Sequence, residues 1–307
     1  MTKYSYARCL AHSQKINWRI DEVLGDRPFD TARRWLPLRL SGAPLVTCLD
    51  EEERLKLTHV EMAAYAHLFG YVEEFIAPKV AELSREHAIE DRTTFDALAN
   101  FAAEEVKHMH LFRRLRARVD EALGFETKLV GDAQATASYV LSKSSGAVLL
   151  LTACIEWFTQ LHYTEAFADD DALDGITKQV FRAHWLEESQ HAQMDHMETL
   201  RAFSAMDAAG RERAISDLIE LVGAVDGLLK QQVELDIENL GRYLGREFDA
   251  VGREDLRSGL LRAKRWTFLE SGVTHPRFQE LFAEVSTPDQ QERVGAALSG
   301  LLEPVLA

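Results

Sequence analysis

Proline punctuates this chain so sparsely that helix is the conformation most of it is free to adopt. Only 7 of 307 residues are Pro, most of them near the two ends, and the stretches between are rich in Ala, Leu, Glu and Arg. No alternating strand pattern of useful length, no short-period repeat and no low-complexity tract interrupts them. The expectation is an all-α protein.

Residues 1–50 read as an N-terminal arm of short helical pieces, broken by Pro28, Pro37 and Pro44. Asp50 stands as an N-cap before Glu51, Glu52 and Glu53, which suit the positive end of a helix dipole. That helix runs to about Arg85, with Pro78 expected to kink or restart it. Phe69, Ile76 and Val80 form its stripe, and Glu73 lies on the same stripe. A second helix is expected from Thr93 or Thr94 to Leu123, a third from Ala135 to Ala168 and a fourth from Ile176 to Phe203. Further helices follow at about Glu212 to Leu229, Val233 to Leu244 and Arg253 to Leu269, with a last pair between Pro276 and Leu306. Residues 51–206 then make a four-helix bundle, and residues 207–307 pack on it as flanking helices, in one domain overall.

Charge and cysteine content exclude several functions. The formal net charge of −15 sets the surface against nucleic acid and against anionic lipid. Cys9, Cys48 and Cys154 form neither a CxxC pair nor an even framework, which argues against a disulfide scaffold or zinc ribbon and for a reducing, cytoplasmic setting. The first residues contain no apolar signal segment. The most apolar run, Ala147 to Phe158, is too short to span a bilayer, so no membrane role is expected. It also contains Glu156, and a carboxylate in such a run is costly unless it is paired.

Two motifs give that carboxylate a purpose. Glu105 and His108 are a Glu-x-x-His on the second helix, and Glu188 and His191 repeat it on the fourth. Residues three apart share a helix face, so each motif points a carboxylate and an imidazole the same way. One such motif is weak evidence in a chain this rich in acidic residues. Two of them on apolar stripes, joined by Glu156 on the third helix and by Glu73 or Glu74 on the first, are the ligand pattern of di-iron and di-manganese ferritin-like bundles. Carboxylates bridge metals, and imidazole suits iron in a mixed nitrogen–oxygen shell. His184 adds a third imidazole. It precedes Glu188 by four positions and His191 by seven, a separation of almost two turns. Asp195 lies one turn further along as a partner able to orient an imidazole, whereas His110, His162 and His196 fall off the register. Trp157, Phe158 and Phe101 are the expected walls of a pocket, and Asp169–Asp171 reads as a solvated loop.

The order Glu, Glu-x-x-His, Glu, His-x-x-x-Glu-x-x-His resembles the arylamine N-oxygenase family of di-iron proteins, the aureothin and chloramphenicol pathway type. The resemblance covers roughly residues 35–200, including the segment RWLPLRL before the first bundle helix. It implies metal ligation by Glu73 (or Glu74), Glu105, His108, Glu156, His184, Glu188 and His191, two iron ions with Mn/Fe or Mn/Mn as variants, and a ferritin-like four-helix bundle. It further implies an O2-activating oxygenase that oxidises the amine nitrogen of a small aromatic substrate and draws on an electron donor. A di-iron C–H hydroxylase or desaturase would use the same site, and a ferritin-like iron-handling protein is the rival from another class. The flanking helical surfaces suggest a homodimer.

Overall fold

The computed structural model describes residues 4–301. The arm contains α1 (Tyr6–Ile16), α2 (Ile20–Leu24), α3 (Leu38–Ser41) and a 3₁₀ turn at Ala43–Leu45. The long helices α4 (Glu51–His87) and α5 (Arg92–Leu123) follow, then α6 (Ala133–Leu141), α7 (Ser145–His162) and α8 (Gly175–Ala205). The flank consists of α9 (Ala208–Leu244), α10 (Ala250–Arg265), α11 (Ser271–Val273), α12 (Pro276–Val285) and α13 (Pro288–Ser299). Among the described residues the one β-type pairing is an isolated bridge between Arg34 and Leu173.

Local chemistry sets the helix ends. Asp50 and Glu53 form a reciprocal capping box at the start of α4. Asp91, Asp174, Asp207 and Asp249 accept backbone N–H bonds at the starts of α5, α8, α9 and α10. Gly124 ends α5 at φ 79°, a left-handed conformation that favours glycine.

Several expected boundaries need correction. α4 runs through Pro78 without restarting, because Ile76, Ala77, Val80 and Leu83 are buried on both sides of it and hold the segment against the core. The third helix is two, α6 and α7. Between them the Ser144 N–H turns to the Asp217 carboxylate (2.8 Å) and Lys143 pairs with Glu220. α7 also ends at His162 and passes into a π-helical turn, Tyr163–Phe167. Conversely, the two helices expected between 212 and 244 are one. Gln232 lies buried in the middle of α9, where it accepts from the Val130 N–H (2.9 Å) and donates to Asp236 (2.8 Å). The expected helix to Leu269 passes at Trp266–Glu270 into another π-helical turn. Leu306 lies outside the described residues.

α4, α5, α7 and α8 form the bundle, with α4 packed along α5 and α7 along α8. α9 lies across α4 and α7 from outside, and α1 packs on α5 and α8. The main core draws on arm, bundle and flank together, from Cys9 to Leu298. The acidic loop is only partly solvated: Arg34 Nη2 donates to both carboxylate oxygens of Asp170 (2.7 and 2.9 Å), while Asp171 is exposed. No helix among the described residues is long and apolar enough to cross a membrane.

Candidate metal centre

The apolar stripes of the four bundle helices converge on a polar knot. α5 brings Glu105 and His108, α8 brings His184, Glu188 and His191, α4 brings Glu73 and α7 brings Glu156. All seven are buried, with 0–2% of their surface exposed. Two overlapping groups of donor atoms result. Glu73, His108, His184 and Glu188 form one, and Glu105, His108, Glu188 and His191 the other, with donors in each group within 4.8 Å of one another. His108 and Glu188 belong to both. Glu156 lies outside these groups, but its raised carboxyl pKa reflects burial first and then the nearby charges of Glu188 and Glu105. Glu74 turns away from the knot and pairs with Arg113 at the partly exposed edge of α4.

The distances are those of donors aimed at shared points. His191 Nδ1 lies 2.6 Å from Glu105 and 2.7 Å from Glu188. His108 Nδ1 lies 2.9 Å from Glu188 and 3.7 Å from Glu105. His184 Nε2 lies 2.5 Å from Glu188 and 3.8 Å from Glu73. Yet Glu73 Oε2, both Glu105 oxygens, Glu156 Oε2, His108 Nδ1 and His184 Nε2 are buried with no hydrogen bond of acceptable geometry. Native interiors rarely leave buried polar atoms unsatisfied, and a bound cation is one standard reason for it.

Electrostatics point the same way. Burial, then the neighbouring carboxylates led by Glu105, push Glu73 well above the usual carboxylate range. Burial also opposes charge on Glu188, but His184, His191 and His108 outweigh it and hold that carboxyl well below its ordinary value. Burial lowers His108, while Glu188 and Glu187 more than offset this and lift it to about 10. His191 is likewise raised, by Glu188 and Glu105 against burial. Only on His184 does burial outweigh its carboxylate neighbours and lower the pKa. Carboxylates gathered this closely draw in positive charge, which protons on the imidazoles or a bound cation can supply, and oxygen and nitrogen donors in this mixture fit iron or manganese.

Sequence reasoning missed two residues that orient the histidines. Glu187, on α8, accepts from His108 Nε2 across the bundle (2.9 Å), and Glu104, on α5, accepts from His191 Nε2 (2.9 Å). A carboxylate only accepts, so each Nε2 carries a proton, and each Nδ1 faces the knot, where its lone pair would be offered to a cation once the imidazole is neutral. The available signal was the doublet: both motifs read Glu-Glu-x-x-His. The arm supports both carboxylates. Ser13 of α1 donates to Glu104. Lys107, whose ammonium sits 4.0 Å over the Trp18 ring, donates to Glu187.

Other expected residues fall into place around the knot. Asp195 is buried next to it, its carboxyl pushed to about 8 chiefly by burial. His110 is exposed, His162 bonds Tyr65 and Ser271, and His196 packs on Tyr4, so none joins the donor groups. Phe101 stacks on His191 at 3.9 Å, whereas Trp157 is buried in a stack with His275 of the flank.

Helices and donors together define a ferritin-like four-helix bundle of the di-metal class, with added flanking helices. A family model described as p-aminobenzoate N-oxygenase AurF matches residues 3–226, and the chain belongs to that family. It is therefore a di-metal oxygenase of a di-iron family, acting on a substrate with O2. No curated protein matches the chain. Solved structures similar to it include an R2-like ligand-binding oxidase variant with a Mn/Fe cofactor (15% identity, 90% of this chain and 94% of that one, TM-score 0.48). Another variant of the same oxidase, with an Fe/Fe cofactor, gives 16% identity, the same coverage and a TM-score of 0.47.

Proposed function

We propose that Glu73, Glu105, His108, Glu156, His184, Glu188 and His191 hold the metal pair, and that the enzyme oxidises the amine nitrogen of a small aromatic substrate. The observation that carries this reading is the third imidazole: His184 is buried in the donor set, 2.5 Å from Glu188. Glu73 is preferred to Glu74 because it is buried with a free oxygen, while Glu74 is spent on Arg113. Bound there, the metals supply the activation of O2. The chain's own work is to fix donor directions through Glu104 and Glu187 and to keep the centre dry behind Phe69, Phe101 and Phe112. Overall, one oxygen atom enters the amine N–H bond and the other leaves as water, with two electrons and two protons from an external donor.

The arm (1–50), bundle (51–206) and flank (207–307) act as one domain on this reading, since they share the main core. Three free cysteines support a cytoplasmic setting, and the charge of −15 supports the absence of a nucleic-acid partner. A homodimer through the flanking helices is the expected assembly. The deciding experiment is metal content, O2 uptake and product analysis for wild type and Glu105→Ala. Wild type should hold two metals and yield N-oxygenated product, and the variant should lose metal. Hydroxylated or desaturated carbon products would move the reading to C–H chemistry, and a cage-like assembly to iron storage.

A further inference from the structure

One ring joins the proposed ligands to the surface. Among the described residues, Phe101 lies against His191, Phe69 and Phe112 against His184, and Trp18 against His108. The three phenylalanines are buried, whereas Trp18, between α1 and α2, is partly exposed. Its indole lies nearly parallel to the His108 ring, with 11° between the planes and 5.9 Å between centroids. His108 belongs to both donor groups, so this stack reaches both through one imidazole. No local hydrogen bond accounts for an indole at this place, because Trp18 Nε1 is buried and unpartnered. The Lys107 ammonium, 4.0 Å over the same ring, disfavours a positive charge on the indole. Trp18 is therefore suited to pass electrons across and unsuited to staying oxidised.

The surface beside Trp18 is cationic in a chain of net charge −15. The first acidic residue of the chain is Asp21, and it pairs with Arg114. Before it, Arg8, His12 and Lys15 stand at i, i+4 and i+7 on one face of α1, and all three are exposed. Arg19, also exposed, directly follows Trp18. The other face of α1, with Cys9 and Ser13, is buried where the helix packs on α5 and α8. Arg8, Lys15 and Arg19 make no ion pair among the described residues, whereas Arg113, Arg114 and Arg116 of α5 are each paired with an acid. Val106, next to Lys107 on α5, adds an exposed apolar side chain. Unpaired cations on an open face attract an acidic protein from a distance and set its orientation. Arg8 and Lys15 alone lie about 10 Å apart along the helix, too far to converge on one small anion.

We propose that this face receives the electron donor: a small acidic one-electron carrier protein binds over Arg8, Lys15 and Arg19, and Trp18 passes its electrons to His108. The proposal rests on the reading of His108 as a ligand. Two carrier molecules, each oxidised by one electron, supply the two electrons of a turnover, and two protons accompany them from water. Stopped-flow reduction of the oxidised, metal-loaded full chain by a reduced acidic plant-type ferredoxin, without amine substrate, tests it. The rate should saturate with ferredoxin and fall steeply with salt. Arg8→Glu/Lys15→Glu/Arg19→Glu should raise the half-saturating ferredoxin concentration by about 30-fold or more and remove most of the salt dependence, without slowing reduction by methyl viologen. Trp18→Leu should do the converse, with half-saturation held and the limiting rate down by about 10-fold or more. Trp18→Phe, which keeps a ring beside His108, should recover most of that rate. A charge variant with wild-type half-saturation and salt dependence would overturn the proposal, as would anionic vesicles or DNA binding this face while ferredoxin does not. So would a Trp18→Leu protein of full metal content and unchanged limiting rate, or rate losses in both Trp18 variants that only follow lost metal. If wild type holds no redox-active metal, the ligand reading fails instead, and calorimetric ferredoxin affinity, which needs no metal, still decides the binding face.

Discussion

Removing the Glu104 carboxylate should loosen the metal centre without touching a proposed ligand. Glu104 Oε2 takes the Nε2 proton of His191 at 2.9 Å, and both side chains are at least nine-tenths buried. A hydrogen bond to a charged partner contributes about 1.5–3 kcal/mol, which corresponds to about 10- to 150-fold in an equilibrium constant. In Glu104→Ala, His191 is free to carry its proton on Nδ1, the nitrogen 2.7 Å from Glu188, and metal binding must first reverse that choice. Loss of an orienting partner of this kind lowers metal affinity by about 10- to 100-fold, in agreement with the hydrogen-bond figure. Glu104→Gln keeps an acceptor oxygen but not the charge, so its loss should be smaller, about 3- to 10-fold. Competition of Co(II) or Fe(II) against a chelator of known affinity, read optically, gives both numbers, and circular dichroism checks that the helices are intact. An affinity for Glu104→Ala within about 3-fold of wild type at both sites would refute the reasoning that Glu104 sets the imidazole's direction.

Three further expectations concern stability. Lys264 is buried against Glu61 (2.5 Å) and Asp236 (2.9 Å), and Lys264→Met strands two acids, so it should cost about 3–5 kcal/mol in denaturant unfolding. A cost below about 1 kcal/mol would show that the acids accept protons freely instead. Gly272→Ala would place a Cβ 2.6 Å from the Cys154 carbonyl oxygen and should destabilise by about 1–3 kcal/mol, whereas Gly223→Ala, with open space around it, should stabilise by about 0.5–1 kcal/mol. Paired thermal melts with the opposite order would contradict the packing. Burial holds His59 down at about 4 and His162 at about 3, so both stay neutral when folded while the unfolded chain takes up protons near 6.5. Their contribution is complete above pH 6.5 and is lost as pH falls toward 4 and 3, by about 3 and 5 kcal/mol. The double variant His59→Gln/His162→Gln should flatten the acid limb of stability against pH by about two protons, and an unchanged slope would count against it.

How far the sequence reaches depends on whether a feature is local. Helix starts are local, and Asp50 with Glu53 can be read directly as a cap. The motif pairs are local too, because three residues on a helix always share a face. The stripe favours Glu73 without deciding against Glu74, and the structure buries the first and turns the second to Arg113. What escapes is whatever a distant residue decides. Residues 142–144 contain neither Gly nor Pro, and the break there depends on Asp217 and Glu220, more than seventy residues away. Gln232 looks like the polar gap between two helices until Val130 and Asp236 give it buried partners.

Glu104 and Glu187 show the same limit at the site itself. Each is one position from a motif glutamate and about 100° around the helix from it, a place where an acidic residue ordinarily faces water. Its role exists only because the opposite helix brings a histidine to it, and the exchange is mutual: α5 orients the α8 imidazole and α8 orients the α5 imidazole. Neither histidine can be directed unless both helices are docked. The directions of the two imidazoles are then tied to the packing of α5 against α8, and the arm takes part in it. Ser13 holds Glu104, and Lys107, which donates to Glu187, lies over Trp18. A segment that reads as an irregular preamble thereby acts on two imidazole protons in the middle of the bundle.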